Sequence, residues 1–484
     1  MRYRRSPFLL LIVLTSALIG AMQLTHGHDW GDDFAGYIMQ AQSILNGDLH
    51  SFVEHNRFTI EQSSNQIGPI AYPWGYPLVL VPFYAMRGIS PMLLKIPNLF
   101  ALAGFVTCFY FLMCQRLSLR ESLLLTSVVA FNPFLLKFLD HILSDILFLC
   151  ISTLALLLMS QPAPHTRLRA VLLGCIFAVA VFIRTTGILL LGSFLVVEGL
   201  RLWDGRSNSL ERNLTIKRLT LVILSFIILW IVYTFIFPDG SQSYLNQLGD
   251  FNLGGSLTSF FDYTLAFQSF FDTYRLGVGI FHLALGCLIV GLWQRSKLEP
   301  KLSLFFGLWM LSLMLWPVWQ GARFLIPIFP LFIYFAFQGM KTILSYVFAA
   351  HPKISTRGLL SIWLFIAGLF LISSVQAGVA NLQGKRTVNG PFDPYSLEMY
   401  NFIQEQTSPE SKIVFFKPRA MRLMTGHDSL LSTDCERLSL GDFIVLSKKV
   451  EENQQVPPEQ IESCHLPLEV VFTNRRFIVY QFLH

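Results

Sequence analysis

The chain has 484 residues, 53% of them hydrophobic and only 14% charged, with a formal net charge of +6. An average soluble chain carries roughly 25% charged residues, so this composition excludes a soluble globular enzyme, a disordered chain and a nucleic-acid-binding domain. The apolar residues come in uninterrupted blocks of spanning length, which a soluble core does not require. The chain reads as a polytopic α-helical membrane protein.

Eleven apolar segments follow in chain order: 7–24, 91–116, 121–137, 142–159, 168–183, 187–200, 219–237, 276–293, 302–316, 324–340 and 359–375. With a cytoplasmic N-terminus, the segments on that side hold eighteen Lys and Arg residues, against seven on the other side of the membrane region. The positive-inside rule then sets the orientation, and an odd number of crossings places the C-terminus outside. The first segment follows Arg2, Arg4 and Arg5. It is long and lacks a clear A-x-A site, so it reads as the first span rather than a cleaved signal peptide.

The long loop 25–90 is external and contains two helix-like pieces. In 34–45, Phe34, Tyr37, Ile38, Ala41, Ile44 and Leu45 recur close to every 3.6 residues, and Asn46-Gly47 closes the helix. The apolar piece 77–86 is too short to cross. Both read as helices lying at the membrane interface. The segment 201–218 is a charged cytoplasmic connector, and 238–275 is a second external loop rich in Phe, Tyr, Gly and Ser.

After residue 376 the composition becomes that of a soluble domain. A helix is expected over 394–407 and strands over 412–416, 442–446, 468–473 and 477–482, with Asn474-Arg475 turning the last pair. The chain thus divides into a membrane domain, 1–376, and a small extracytoplasmic α/β domain, 377–484. Five of the seven cysteines lie in spans as apolar fillers. Cys435 and Cys464 lie in the external tail, where a disulfide between them is expected. No Cys/His spacing suggests a metal site.

The strongest chemical signal is His28-Asp29-Trp30-Gly31-Asp32-Asp33-Phe34-Ala35-Gly36-Tyr37, just after the first span. Asp33 and Tyr37 are spaced i, i+4 and share one helix face. Adjacent carboxylates repel, which raises one pKa unless a cation compensates. Such a pair suits a general base that takes a proton from an acceptor; the competing reading is a helix N-cap. A second signal is the rigid turn Tyr72-Pro73-Trp74-Gly75-Tyr76-Pro77. A third is a set of cations at the outer ends of spans: Lys95, Arg184 before Thr185-Thr186-Gly187, and Arg323 before Phe324-Leu325-Ile326-Pro327. Cations at matching depth can clamp a lipid phosphate, although span-end Lys and Arg also snorkel to headgroups. Asp145, after Ser144, sits at the outer end of the fourth span.

In their order and sidedness these motifs resemble the GT-C membrane glycosyltransferases, in particular the bacterial branch akin to protein O-mannosyltransferases and the lipid A aminoarabinose transferase. The resemblance covers residues 7–340. Two departures stand out: many members carry Asp-Glu where this chain has Asp32-Asp33, and Trp74 replaces the second proline of a frequent Pro-Pro-Gly turn. The resemblance implies a bacterial inner-membrane enzyme that moves a sugar from a polyprenyl-phosphate donor to a cell-envelope acceptor, with inversion. It requires no cofactor and leaves a divalent cation open. Asp33 is then the base, Asp32 tunes it or binds acceptor, and Arg184, Arg323, Tyr37, Asp145 and Lys95 bind substrate.

The alternatives are a glycolipid flippase or transporter and a non-catalytic scaffold. A transporter keeps its charges near the midplane, where these spans are almost free of them, and no internal repeat is evident. The orientation has a direct check. A reporter active only in the cytoplasm, fused after His484, should be silent; activity there would overturn the assigned topology.

Overall fold

A computed structural model describes residues 7–65, 67–161, 167–203, 209–238, 240, 253–272, 275–316, 319–449 and 454–483. The Arg2–Arg5 cluster and parts of the connector 201–218 and of the loop 238–275 used in the topology reading lie outside these residues.

Helix dominates. Helix α1 (Pro7–Gln23) leads to three helices of the long loop, α2 (Asp33–Asn46), α3 (Leu49–Gln62) and α4 (Gly75–Arg87). The bundle continues with α5 (Pro91–Cys114), α6 (Leu119–Ala130), the short α7 (Pro133–Phe138), α8 (Asp145–Ser160), α9 (Arg167–Ile183), α10 (Ile188–Trp203) and α11 (Ser209–Ile236). Then come α12 (Leu253–Ala266), α13 (Gly277–Arg295), α14 (Pro300–Leu315), α15 (Phe329–Val347) and α16 (Pro352–Leu382). Among the described residues five helical stretches are long and apolar enough to span a membrane: α5, Thr185–Trp203, α11, α13 and α16. Three shorter apolar helices, α1, α8 and α14, accompany them.

Inside the bundle, Phe105, Phe109, Leu125, Phe177, Phe329 and Trp363 are fully enclosed, whereas Leu10, Phe100, Ile228, Trp293 and Leu364 face outward. A bundle that is apolar on both its inner and outer surfaces fits a lipid environment.

Several elements depart from the expected bounds. The segment 121–137 is not one helix: α6 ends at Ala130, and Asn132 caps α7 by accepting from the Leu135 N–H at 3.2 Å. Pro133 cannot continue a helix that needs its N–H. The loop 25–90 holds three helices, because α3, which is mostly polar, was silent to an apolar-periodicity reading. The loop 238–275 carries α12.

The tail holds α17 (Pro394–Gln406), α18 (Pro418–Thr425), α19 (Cys435–Leu438) and five strands: β1 (Ile413–Val414), β2 (Ser429–Leu430), β3 (Phe443–Ser447), β4 (Leu468–Thr473) and β5 (Phe477–Phe482). Their order is β2-β1-β3-β5-β4, with β1 parallel to β2 and β3, and β5 antiparallel to β3 and β4. Alternation along β3 sends Phe443 and Val445 to one core, with Met399 and Tyr400, and Ile444 and Leu446 to another, with Leu438 and Ile461. Cys435 and Cys464 are joined by a disulfide with Cα atoms 5.4 Å apart.

The tail docks on the long loop. Ser64 N–H donates to Leu431 O at 2.9 Å, Leu431 N–H to Ser63 Oγ at 2.9 Å, and Trp30 packs its ring on Phe415, Phe416 and Phe477.

Helices α13 and α15 approach at backbone distance. A Cβ added at Gly291 would lie 1.9 Å from Phe335 O, and one at Gly339 would lie 1.8 Å from Cys287 O. Small residues at such crossings let apolar helices pack by dispersion. Gly339→Ala and Gly291→Ala should each cost about 1–3 kcal/mol by overpacking. Thermal melting of the purified protein in detergent measures this, and unchanged melting in both variants would contradict the close approach.

Candidate active site

The acidic motif lies where α2 begins, at one end of the bundle. Asp33 is the first residue of α2; Asp32 precedes it without making a side-chain cap to that helix. The N-cap reading therefore fails for α2. Instead, Asp32 Oδ1 accepts from the backbone N–H groups of Arg419 at 3.1 Å and Ala420 at 3.3 Å, in the first turn of α18. A carboxylate at a helix N-terminus is favoured by the orphan donors there, but the helix served is in the tail.

Asp33 faces the other way. Its Oδ2 accepts from Arg323 at 2.7 Å and its Oδ1 from the Tyr72 hydroxyl at 2.6 Å. Both members of the ion pair keep partial exposure, 28% for the Arg323 side chain and 25% for that of Asp33. They line a cavity of about 400 Å³ with Asp32, Trp30, Phe416 and Lys417. The membrane domain thus supplies one cation to this cavity and the tail another.

Tyr37, one turn after Asp33, is buried. Its hydroxyl pairs with Ser144 Oγ at 3.0 Å, and its ring lies 4.6 Å from Tyr72 and 4.9 Å from Tyr76. Next to Ser144, the buried Asp145 opens α8 and accepts from Arg184. Arg184 is extended, between α9 and the 3-10 turn Thr185–Gly187. Its guanidinium stands 4.6 Å from the centre of the Phe324 ring, and that of Arg323 stands 5.1 Å from the same ring. One aromatic face system therefore gathers both arginines, a favourable cation–π arrangement. The start of α4 braces this region: a Cβ at Gly75, its first residue, would lie 2.5 Å from Phe182 O, two residues before Arg184. Glycine is needed there by close approach.

Lys95 is not part of this group. Its ammonium is 0% exposed and donates to Asp140 Oδ1 at 2.6 Å, Thr25 O at 2.9 Å and Gly27 O at 2.5 Å. Asp140 also pairs with Arg386 at 2.9 Å. The three protons of the ammonium are used within the protein, and the cluster ties the end of α1 to α5 and to the segment after α16. Among the described residues, no group of three or more His, Cys, Asp or Glu side chains is placed to hold a metal ion.

The two neighbouring carboxylates differ in their electrostatics. Burial pushes the Asp32 carboxyl up to about 6, against the lowering effect of Arg419 and Lys417. Burial would raise Asp33 too, but the Arg323 charge and the Tyr72 hydrogen bond outweigh it and hold that carboxyl at about 2. Burial also lifts the Tyr37 phenol to about 12. His28 is held neutral, at about 3, chiefly by burial. Its Nε2 accepts from Ile142 N–H at 3.0 Å, which leaves Nδ1 to donate to Asp29 O at 2.8 Å.

Sequence reasoning missed Arg419 and gave Phe324, Ser144 and Tyr72 no role of their own. Phe324 and Ser144 each adjoin a residue that was singled out, so adjacency was a usable signal. Arg419 stands in Lys417-Pro418-Arg419, which carries no local signature.

The Asp32 carboxyl makes a pH prediction. Its folded value, about 6, lies above its ordinary 3.8, so the folded protein binds that proton more tightly than the unfolded chain. Stability from this group is full below about pH 4 and declines as pH rises to about 6; the ionised group above that costs about 3 kcal/mol. Asp32→Asn keeps the Oδ1 acceptor and should flatten this part of the melting-temperature profile. Retention of the wild-type slope between those pH values would contradict the assignment.

No family model and no curated protein sequence matches the chain. Solved structures do. ArnT from Cupriavidus metallidurans bound to undecaprenyl phosphate superposes with a TM-score of 0.62 at 13% identity, over 97% of each chain. The Archaeoglobus fulgidus oligosaccharyltransferase tethered to an acceptor peptide superposes at 0.56 and 9% identity, over all of this chain and 75% of that one. The archaeal oligosaccharyltransferase AglB in complex with an inhibitory peptide and a dolichol-phosphate superposes at 0.55 and 10% identity, over 91% and 69%. At these identities the likeness concerns the fold alone: this chain shares the architecture of ArnT and of the archaeal oligosaccharyltransferase.

Proposed function

We propose that the chain transfers a sugar from a polyprenyl-phosphate carrier to a cell-envelope acceptor, on the extracytoplasmic face of a bacterial inner membrane that it crosses eleven times. The observation that carries this reading is the Asp33–Arg323 pair, a base and a phosphate-binding cation held 2.7 Å apart at the wall of one cavity. The solved structures of like fold, bound to undecaprenyl phosphate or to dolichol-phosphate, support the class of donor.

The chemistry divides accordingly. The acceptor lone pair attacks the anomeric carbon while the bond from that carbon to the phosphate oxygen breaks, and its electron pair stays on the phosphate. A single displacement inverts the anomeric centre. The departing phosphate is a stable anion and needs no general acid. Arg323, with Arg184 beside it on Phe324, offsets the charge that grows on the phosphate. Asp33 takes the acceptor proton. Asp145 orients Arg184, and Tyr37 braces Ser144 beside it. No cofactor enters this scheme.

A carboxyl held at about 2 is a weak base at rest. Donor binding corrects this: when the phosphate takes up Arg323, the carboxylate loses part of its strongest partner and its proton affinity rises. The base is thus strengthened when the donor is in place, which limits idle proton traffic in the free enzyme.

General-base catalysis is typically worth about 10²–10⁴-fold. Asp33→Asn should lose at least that lower figure in a reconstituted assay with radiolabelled polyprenyl-phosphate sugar and fractionated cell-envelope acceptors. Arg323→Ala and Arg184→Ala should each use donor several-fold worse, and lysine should rescue only in part because it lacks the planar fork. Transfer retained in the Asp32→Asn/Asp33→Asn double variant would reject this reading.

A further inference from the structure

The tail is more than an appended module, and the residue that shows it is Arg419. This side chain is 0% exposed, yet it belongs to the tail and lies inside the loop 25–90. Its guanidinium donates to the Tyr72 hydroxyl at 2.8 Å, to Ile67 O at 3.3 Å, to Pro69 O, and from Nε to Asn56 Oδ1 at 3.2 Å. Space is cleared for it. Gly68 sits at φ +120°, and a Cβ there would lie 3.0 Å from the Tyr72 hydroxyl and 3.3 Å from Arg419 Nη1.

Counting donors gives the contact a direction. A guanidinium can only donate, so the Tyr72 oxygen accepts from Arg419 and its single proton is left for Asp33 Oδ1, at 2.6 Å. The Arg419 backbone N–H is at the same time on Asp32 Oδ1, at 3.1 Å. One turn of the tail therefore holds Asp32 directly and reaches Asp33 through the Tyr72 hydroxyl. Burying a guanidinium is costly unless a carboxylate pairs with it. Here its direct partners are neutral, and the charges it acts on are Asp32 and Asp33. A purely structural plug would be cheaper as a neutral residue.

We propose that Arg419 is a positioning residue of the transfer reaction: through Tyr72 it fixes the orientation and proton affinity of Asp33, so the C-terminal domain completes the active site. This rests on the proposed sugar transfer for its kinetic readout but not for its chemical one. The charged and titratable groups around Asp33 are Arg323 and His141 from the membrane domain, Tyr72, Tyr37, His28 and Asp29 from the long loop, Asp32 beside it, and Arg419 with Lys417 from the tail.

The test uses the full-length protein in nanodiscs, with Tyr72→Phe, Arg419→Gln and the double variant. Two quantities are measured. One is kcat and KM for the radiolabelled polyprenyl-phosphate sugar. The other is the pH at which Asp33 becomes reactive towards a water-soluble carbodiimide, which modifies protonated carboxyls and is mapped by peptide mass spectrometry. In both single variants kcat should fall about tenfold with KM nearly unchanged, because the lost orientation of the Asp33 carboxylate outweighs its gain in basicity, and the double variant should be no worse than the worse single. The Asp33 reactivity midpoint should move upward in all three. If Arg419→Gln does not fold, Tyr72→Phe, which removes only the linking hydroxyl, decides alone. If wild type transfers no sugar, the functional reading fails, and the carbodiimide midpoint still decides the coupling. An unmoved midpoint in folded Tyr72→Phe, or losses in kcat that multiply in the double variant, would overturn the proposal.

Discussion

A single ion pair organises this end of the molecule. Asp33 and Arg323 stand 290 residues apart in sequence and 2.7 Å apart in space. For them to meet, α2 must begin against the bundle and the segment before α15 must turn back towards it. The tail must also close over Asp32, which leaves Asp33 free to face the cavity. The flanking features follow from this geometry: Phe324 as the shared ring under two guanidiniums, Gly75 and Gly68 as points of close approach, and Tyr72 as the second hydrogen bond to the carboxylate.

The Lys95–Asp140 and Arg323–Asp33 pairs occupy the same end, and burial separates their roles. Lys95 and Asp140 are 0% and 2% exposed and use their hydrogen-bonding capacity on the protein itself. Removing one partner of such a buried pair typically costs about 3–5 kcal/mol, which suits a fastener between spans. Arg323 and Asp33 keep about a quarter of their side-chain surface. An ion pair that remains open can be divided by a ligand; a closed one cannot.

Much of this was legible in the chain. Apolar length gave the bundle, and the 3.6-residue repeat with Asn46-Gly47 gave α2, whose closing Gly47 adopts φ 78°. Alternation gave β3, β4 and β5. The i, i+4 spacing of Asp33 and Tyr37 marked the face that carries the site. What escaped depends on contacts between distant segments. Helix α3 is polar because it packs under β2 and the tail rather than against lipid. Lys95 looked like the other span-end cations until Asp140 and Arg386 closed around it. Asp32 reads as a partner of Asp33, with a cap for α2 as the competing reading, and no local rule links it to α18, some 387 residues away. Arg419 was invisible for the same reason.

The central claim is that Asp33 and the carrier phosphate compete for Arg323. The most direct measurement is equilibrium binding of polyprenyl phosphate, without sugar, to wild type and to Asp33→Asn in nanodiscs. Removing the carboxylate charge frees Arg323 from a charge-assisted bond worth roughly 1.5–3 kcal/mol. The account therefore predicts binding at least several-fold tighter in the variant that cannot transfer sugar. Binding that is unchanged or weaker in Asp33→Asn would show that the pair is not divided by the carrier, and would contradict the account.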